Sequence, residues 1–170
     1  IIVYPSLFGI QSIWYNVPVA ELCTLFISFM LVRRELLKEM QINKNAEKLI
    51  RQLNNQGYEA FIVGGCVRDY LLGLTPHDTD ICTNALPEQT KKCFEAYHTF
   101  DTGIKHGTIS VVCGGEVYEI TTYRIDGDYS DNRHPDSVSF TRNINEDLRR
   151  RDFTVNAMAY NAEYGLVDPY

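Results

Sequence analysis

The run Phe61-Ile-Val-Gly-Gly-Cys-Val-Arg-Asp-Tyr-Leu-Leu-Gly73, with Asp78-Thr-Asp80 shortly after it, restricts the fold more than any other part of the chain. Phe61, Ile62 and Val63 are too short an apolar run for a helix and read as a buried strand. Gly64 and Gly65 then turn the chain, and residues 66–72 read as a short helix. A loop leads into a second strand over residues 79–83. Lacking Cβ atoms, Gly64 and Gly65 let the backbone approach a ligand closely. The helix after them aims free N–H groups and its positive end at the same place, where phosphate is the usual guest. Side chains i and i+2 of a strand share a face, so Asp78 and Asp80 converge if residues 78–83 are extended. Two convergent carboxylates repel unless a cation joins them, and Mg²⁺ with substrate phosphates fits that chemistry. Taken singly, a Gly-Gly turn is common between strand and helix, and an acidic pair is often just solvated. The order and spacing of the parts carry the signal.

Periodicity fills in the surroundings. Ala46, Leu49, Ile50 and Leu53 follow the i, i+3, i+4, i+7 pattern of an amphipathic helix over residues 45–55, with Gly57 beyond its end. Residues 58–63 form the first strand. Pro87 stands where a helix begins, and residues 88–97 continue it. Two β-rich runs, 108–113 and 116–123, flank Gly114-Gly115, a strong hairpin signal that sets Ser110 opposite Glu119. His106-Gly107-Thr108 reads as a turn into that hairpin. The polar stretch 124–137 reads as a loop and residues 138–141 as a short strand. Residues 145–160 show helical spacing through Leu148, Phe153, Ala157 and Tyr160. Helices combined with a partly antiparallel sheet give an α+β domain.

A chain of 170 residues has one domain's length and can bury a real core. Its net charge of −6 argues against nucleic-acid binding by the whole surface and leaves room for a local basic patch such as Arg149-Arg150-Arg151. The five cysteines form no CxxC pair and are odd in number, which disfavours a disulfide framework or structural zinc and fits free thiols in a reducing cytoplasm. His77-Asp78 lacks the further His and Asp ligands of an HD-type phosphohydrolase. Residues 17–32 are largely apolar but broken by Glu21, and fall short of the ~20 residues a membrane span needs. Residues 1–39 therefore read as an apolar extension outside the main domain, with a start-like sequence from Met40. A membrane anchor is the rival reading of that segment.

The segments 64–73 and 78–83, together with Glu119-Ile-Thr-Thr-Tyr-Arg124, Asp131–Pro135 and Arg150–Ala159, resemble the signature of class II tRNA nucleotidyltransferases (CCA-adding enzymes) and the related bacterial poly(A) polymerases, members of the DNA polymerase beta superfamily. The resemblance implies a nucleotidyltransferase head over residues 40–144, a small mixed or antiparallel sheet with helices on one side. Residues 145–170 would end the head and begin a neck. It implies a metal-dependent transfer of nucleotides from ATP and CTP to an RNA 3′ end, most specifically the tRNA 3′ end, with Mg²⁺, in the cytoplasm. Poly(A) addition, or a non-catalytic NTP- or RNA-binding fragment, are the alternatives.

In-line nucleotidyl transfer calls for two or three carboxylates on rigid strands. Asp78 and Asp80 are the expected metal ligands, and Glu119, an acid in an apolar-rich strand, is the expected third. An exposed-face residue is the plainer reading of Glu119. Arg68 can grip phosphate oxygens or simply pair with Asp69. The resemblance assigns Arg150, Arg151, Asp152 and Asn156 to the nucleotide. On a helix, Asp152 and Asn156 would lie one turn apart and read the ribose 2′-hydroxyl together. Arg124–Pro135, with Asp126, Asp131 and Arg133, resembles a flexible element between these motifs. The Glu-Asp-x-x-Arg element that reads the base in the family has no equivalent here, since Glu146-Asp147 precedes the Arg-Arg-Asp motif.

Overall fold

The computed structural model describes residues 24, 25, 27, 28, 42–127 and 137–170. Two compact units divide the chain, Ile1–Glu39 and Met40–Tyr170. In the first, Thr24, Leu25, Ile27 and Ser28 are helical. The rest of the apolar run 17–32 lies outside the described residues, as do Asp131 and Arg133. Among the described residues, no helix is long and apolar enough to cross a membrane.

The second unit opens with helix α1 (Lys44–Asn55), started by Asn43, whose side-chain oxygen accepts the Asn45 N–H at 2.8 Å. Its buried stripe is Ala46, Leu49, Ile50 and Leu53, as the spacing predicts. Strand β1 (Ala60–Val63) follows, then α2 (Gly65–Leu71), β2 (Asp80–Thr83) and α3 (Pro87–Cys93). β3 (Thr99–Gly103), β4 (Thr108–Cys113) and β5 (Glu116–Thr122) form a meander. β6 (Arg124–Asp126) and β7 (Val138–Phe140) make a separate two-stranded ribbon. α4 (Ile144–Arg149), β8 (Ala159–Asn161) and β9 (Gly165–Val167) complete the chain.

Seven strands form one sheet in the order β3-β4-β5-β2-β1-β8-β9. Only β2 and β5 run parallel; every other neighbouring pair is antiparallel. Strand alternation sorts the core into two layers. Ala60, Ile62, Ile81, Ile109, Val111, Tyr118, Ile120 and Tyr160 face α1 and its neighbours in the larger cluster. Phe61, Val63, Cys82 and Ala159 face the other way and pack with Tyr123, Leu148 and Ala157 in a smaller one. The α+β class with a mixed sheet is therefore as expected, with one refinement. α1, α2 and α3 cover one face, while Leu148 of α4 covers part of the other.

Several expectations are corrected. α3 stops at Cys93, where Phe94 plugs into the core and the chain turns toward β3, a strand the periodicity did not reveal. The stretch 124–137 is not loop throughout: Arg124 pairs with Phe140 and Asp126 with Val138, and only the middle of it lies outside the described residues. The largest correction is the helix expected over residues 145–160. It breaks after Arg149, passes through a 3₁₀ turn at Thr154–Asn156 and becomes β8. Phe153, a supposed core position, is 66% exposed. Residues 159–161 are buried on both faces because β1 needs a second partner, and Ile62↔Tyr160 and Val63↔Ala159 supply it. A fully buried strand carries no alternation, so its apolar residues mimicked helical spacing.

Candidate active site

The site forms at the end of β1. Val63 pairs with Asp80, so the Gly64-Gly65 turn and the first residue of β2 lie side by side. β2 and β5 are parallel, with Ile81 opposite Ile120, and one step back along both strands brings Asp80 beside Glu119. Across β4, Glu119 faces Ser110, as the hairpin turn predicts. That register follows from Gly114 and Gly115, whose φ angles of 62° and 83° give the two left-handed positions of a tight hairpin turn.

Asp78 lies outside β2, so strand alternation is not what brings it to Asp80. The two still interact. Loss of hydration in the surrounding protein, and then the charges of Asp78 and Glu119, push the Asp80 carboxyl above its ordinary range; Arg151 pulls it partly back. Three carboxylates thus share one field, with a guanidinium beside them. Among the described residues, no three His, Cys, Asp or Glu side chains are gathered into a preformed metal cage. Mg²⁺ is held by one or two carboxylates, waters and substrate phosphates rather than by an all-protein cage, so this open oxygen set fits it.

Gly64 has φ 86° and ψ −141°, a conformation essentially reserved for glycine. A Cβ added there would stand 3.0 Å from Arg151 Nη1. The guanidinium therefore occupies the space a side chain would fill, directly over the turn. Gly64 N–H donates to the Met158 carbonyl at 3.0 Å, anchoring the turn to the segment that leads into β8. Under the turn, Cys66 Sγ lies 3.2 Å from the Val63 carbonyl oxygen, and burial pushes its thiol up to about 11, so it stays protonated and inert.

The other arginines divide their work. Arg68 donates through Nε and Nη2 to Asp69 Oδ1 at 2.9 and 2.7 Å, and through Nη1 to Asn156 Oδ1 at 2.8 Å. The plainer reading, the pair with Asp69, is thus present, and Asn156 is added to it. Arg150 turns inward to Asp147 and Asp126. Asp152 is exposed, and it precedes the 3₁₀ turn that holds Asn156, so the two do not share a helical turn. The expectation that they act as an i, i+4 pair fails with the helix that was to carry them.

Sequence reasoning missed Asp147. It is fully buried, and accepts the Arg124 backbone N–H and Arg150 Nε through Oδ1, both at 3.1 Å. Its Oδ2 accepts from Arg151 Nη2 at 3.5 Å, at the outer limit of a hydrogen bond. Arg124 also pairs with Asp126 at 2.9 Å and donates to the His106 carbonyl at 2.6 Å. The signal was present: Asp147 stands three and four residues before Arg150 and Arg151, the spacing of helix ion pairs.

An α+β sheet that gathers a Gly-Gly turn, carboxylates beside neighbouring strands and a guanidinium over the turn has the makings of a phosphoryl-transfer head. The poly A polymerase head domain family matches residues 60–170, and the chain belongs to that family. It is 53% identical over 122 residues to a CCA-adding enzyme of Geobacillus thermodenitrificans, covering 72% of this chain and 30% of that protein. To the CCA-adding enzyme of Listeria monocytogenes it is 49% identical, again over 72% of this chain and 30% of the relative. A crystal structure of the Bacillus stearothermophilus CCA-adding enzyme in complex with CTP superposes with a TM-score of 0.66 at 46% identity, covering 75% of this chain and 29% of that one. A tRNA nucleotidyltransferase complexed with a primer tRNA and an incoming ATP analogue gives 0.52 at 30% identity, covering 72% and 34%. The chain is thus homologous to CCA-adding tRNA nucleotidyltransferases and spans about 30% of the length of the curated relatives it matches.

Proposed function

We propose that this chain is the catalytic head of an enzyme that adds nucleotides from NTPs to RNA 3′ ends, with CCA addition to tRNA as its reaction. The observation that carries the reading is the field shared by Asp78, Asp80 and Glu119, with Asp80 next to the Gly64 turn and under the influence of Arg151. ATP and CTP as substrates, and a tRNA 3′ end as acceptor, follow from the relatives with which the chain shares this head. Poly(A) addition has the family's name in its favour, while the curated relatives described above are CCA-adding enzymes. Free thiols at Cys66, Cys82, Cys93 and Cys113 fit a reducing cytoplasm.

Each residue has a definable part. Gly64, without a Cβ, leaves room for the Arg151 guanidinium over the turn, where it neutralises phosphate oxygens. Asp78 and Asp80 are the ligands that would hold Mg²⁺. Bound there, Mg²⁺ would supply charge neutralisation at the phosphates and activation of the attacking hydroxyl. Glu119, one strand further along the sheet, is the third carboxylate of the set. Arg68, fixed by Asp69 and Asn156, stiffens the wall between α2 and the 3₁₀ turn. Asp152, exposed at the rim, is the polar group open to a ribose. Arg150 acts inside the protein, not on the ligand.

The test is a graft. Residues 40–170 replace the corresponding head of the Geobacillus thermodenitrificans enzyme, and a tRNA lacking its CCA end is offered with CTP and ATP. Addition of C, C and A, abolished by Asp80→Asn, is the expected outcome. A folded graft that adds nothing overturns the assignment.

A further inference from the structure

Asp147 does not reach the Gly64 turn itself but touches Arg151, whose Nη1 stands over it, and at 0% exposure it is a fully enclosed carboxylate. A buried carboxylate persists only when its oxygens are paired. Among the described residues, Asp147 and Asp126 together engage three guanidinium groups, those of Arg124, Arg150 and Arg151, of which Arg150 is common to both. The three are not held alike. Arg124 and Arg150 each reach Asp126, at 2.9 and 3.3 Å, and Arg150 also reaches Asp147 at 3.1 Å. Arg151 has its ion pair with Asp147 alone among the described residues, at 3.5 Å. Its Nε is buried without a hydrogen-bond partner, and its Nη1 is the atom over Gly64.

We propose that Asp147 is a positioning residue for anion binding: it holds one edge of the Arg151 guanidinium so that the other edge stands over Gly64, facing the bound phosphates. The inference rests on the phosphate-binding reading of that turn. It adds the reason Arg151, and not Arg150, stands over Gly64. Asp147 Oδ1 is taken by the Arg124 backbone and Arg150, which leaves Oδ2 for the next residue of the chain. The carboxylate therefore sorts two adjacent arginines, one to the interior and one to the site. The Arg124 contact also ties the arrangement to the start of β6, and hence to the ribbon that leaves the site.

The proposal makes a prediction of unusual sign. Asp147→Asn removes a negative charge near the anion site. By long-range electrostatics alone an anion should then bind more tightly. If Asp147 acts by aiming Arg151, binding weakens, because an amide cannot hold both arginine edges and the guanidinium is released. The probe is inorganic tripolyphosphate without a divalent metal, titrated by calorimetry into the full chain, with circular dichroism to confirm folding. We expect the wild type to bind, Asp147→Asn to bind about tenfold more weakly, and Asp147→Asn combined with Arg151→Gln to bind no worse than Arg151→Gln alone. That non-additivity distinguishes positioning from two independent effects.

Each other outcome is decisive. If the wild type does not bind tripolyphosphate, the phosphate-binding reading fails first. If it binds and folded Asp147→Asn binds as tightly or more tightly, or if the two substitutions add, the positioning role is overturned and the reading of the turn survives. Should Asp147→Asn not fold, nitrogen-15 NMR of the arginine side chains in the wild type replaces it. The Arg151 guanidinium, assigned through Arg151→Lys, is expected to be immobile before ligand is added and to shift on titration while Arg150 does not. A freely rotating Arg151 in the ligand-free chain would refute the proposal.

Discussion

Replacing the two glycines of the turn one at a time should have unequal effects on stability. Gly64 has φ 86° and ψ −141°, where a residue with a Cβ costs about 1–3 kcal/mol. The new methyl would also stand 3.0 Å from Arg151 Nη1, so the guanidinium must yield by a few tenths of an ångström. Gly65, the first residue of α2, is different. Its added Cβ would meet Arg68 Nη2 at 3.5 Å, an ordinary contact. Alanine there also restricts the unfolded chain, a gain of about 0.4–1 kcal/mol where the native backbone accepts it. Gly64→Ala should therefore destabilise by about 1–3 kcal/mol, a fall in melting temperature on the order of 3–12 °C for a unit of this size. Gly65→Ala should be neutral or raise it slightly. Thermal melting by circular dichroism, with urea titration for the free energies, measures both. A Gly64→Ala variant as stable as wild type, or a Gly65→Ala variant that falls as far, would refute this account of the turn. In tripolyphosphate titration the Gly64 variant should also bind more weakly, because Arg151 has been displaced.

Three further outcomes can be checked. The Asp80 carboxyl is held above its ordinary value of 3.8, so its ionised form opposes folding. That opposition is absent below the unfolded value and complete once pH exceeds the raised folded one. Asp80→Asn should accordingly raise the melting temperature at pH 7, lose that advantage as pH falls below about 4, and abolish nucleotide addition in the graft; equal melting at every pH would count against the shared carboxylate field. The Tyr123 hydroxyl is buried without a hydrogen-bond partner among the described residues, so Tyr123→Phe should stabilise by about 1 kcal/mol, and a loss seen in urea titration would reveal a hidden partner. With Mg²⁺ present, calorimetry of ATP, CTP, GTP and UTP should give weak and nearly equal affinities, since no Glu-Asp-x-x-Arg run follows Arg150-Arg151-Asp152 in this sequence; a tenfold preference, about 1.4 kcal/mol, would place base selection among these residues.

What the sequence determined by itself is the part set by contacts near in the chain. Helix α1 was legible because its four apolar positions repeat with the helical period. The β4–β5 hairpin, with Ser110 opposite Glu119, was legible because two adjacent glycines admit one tight turn, and the turn fixes the register. The Gly-Gly turn and the carboxylates after it were visible for the same reason. Tertiary structure decided the rest. Residues 159–161 carry no periodicity of their own choosing: they became a strand because the edge of β1 needed hydrogen bonds, and a strand buried on both faces gives no alternation to read. The placement of Glu119 beside Asp80 depends on the parallel pairing of β2 with β5, an encounter of segments 39 residues apart that no local rule dictates. Arg150 and Arg151 look alike in sequence. Only the buried oxygens of Asp147, with Asp126 from the neighbouring ribbon, send the first inward and hold the second over Gly64. Charge placement inside a protein is settled by which counter-charge is within reach after folding, and that is a property of the assembled core.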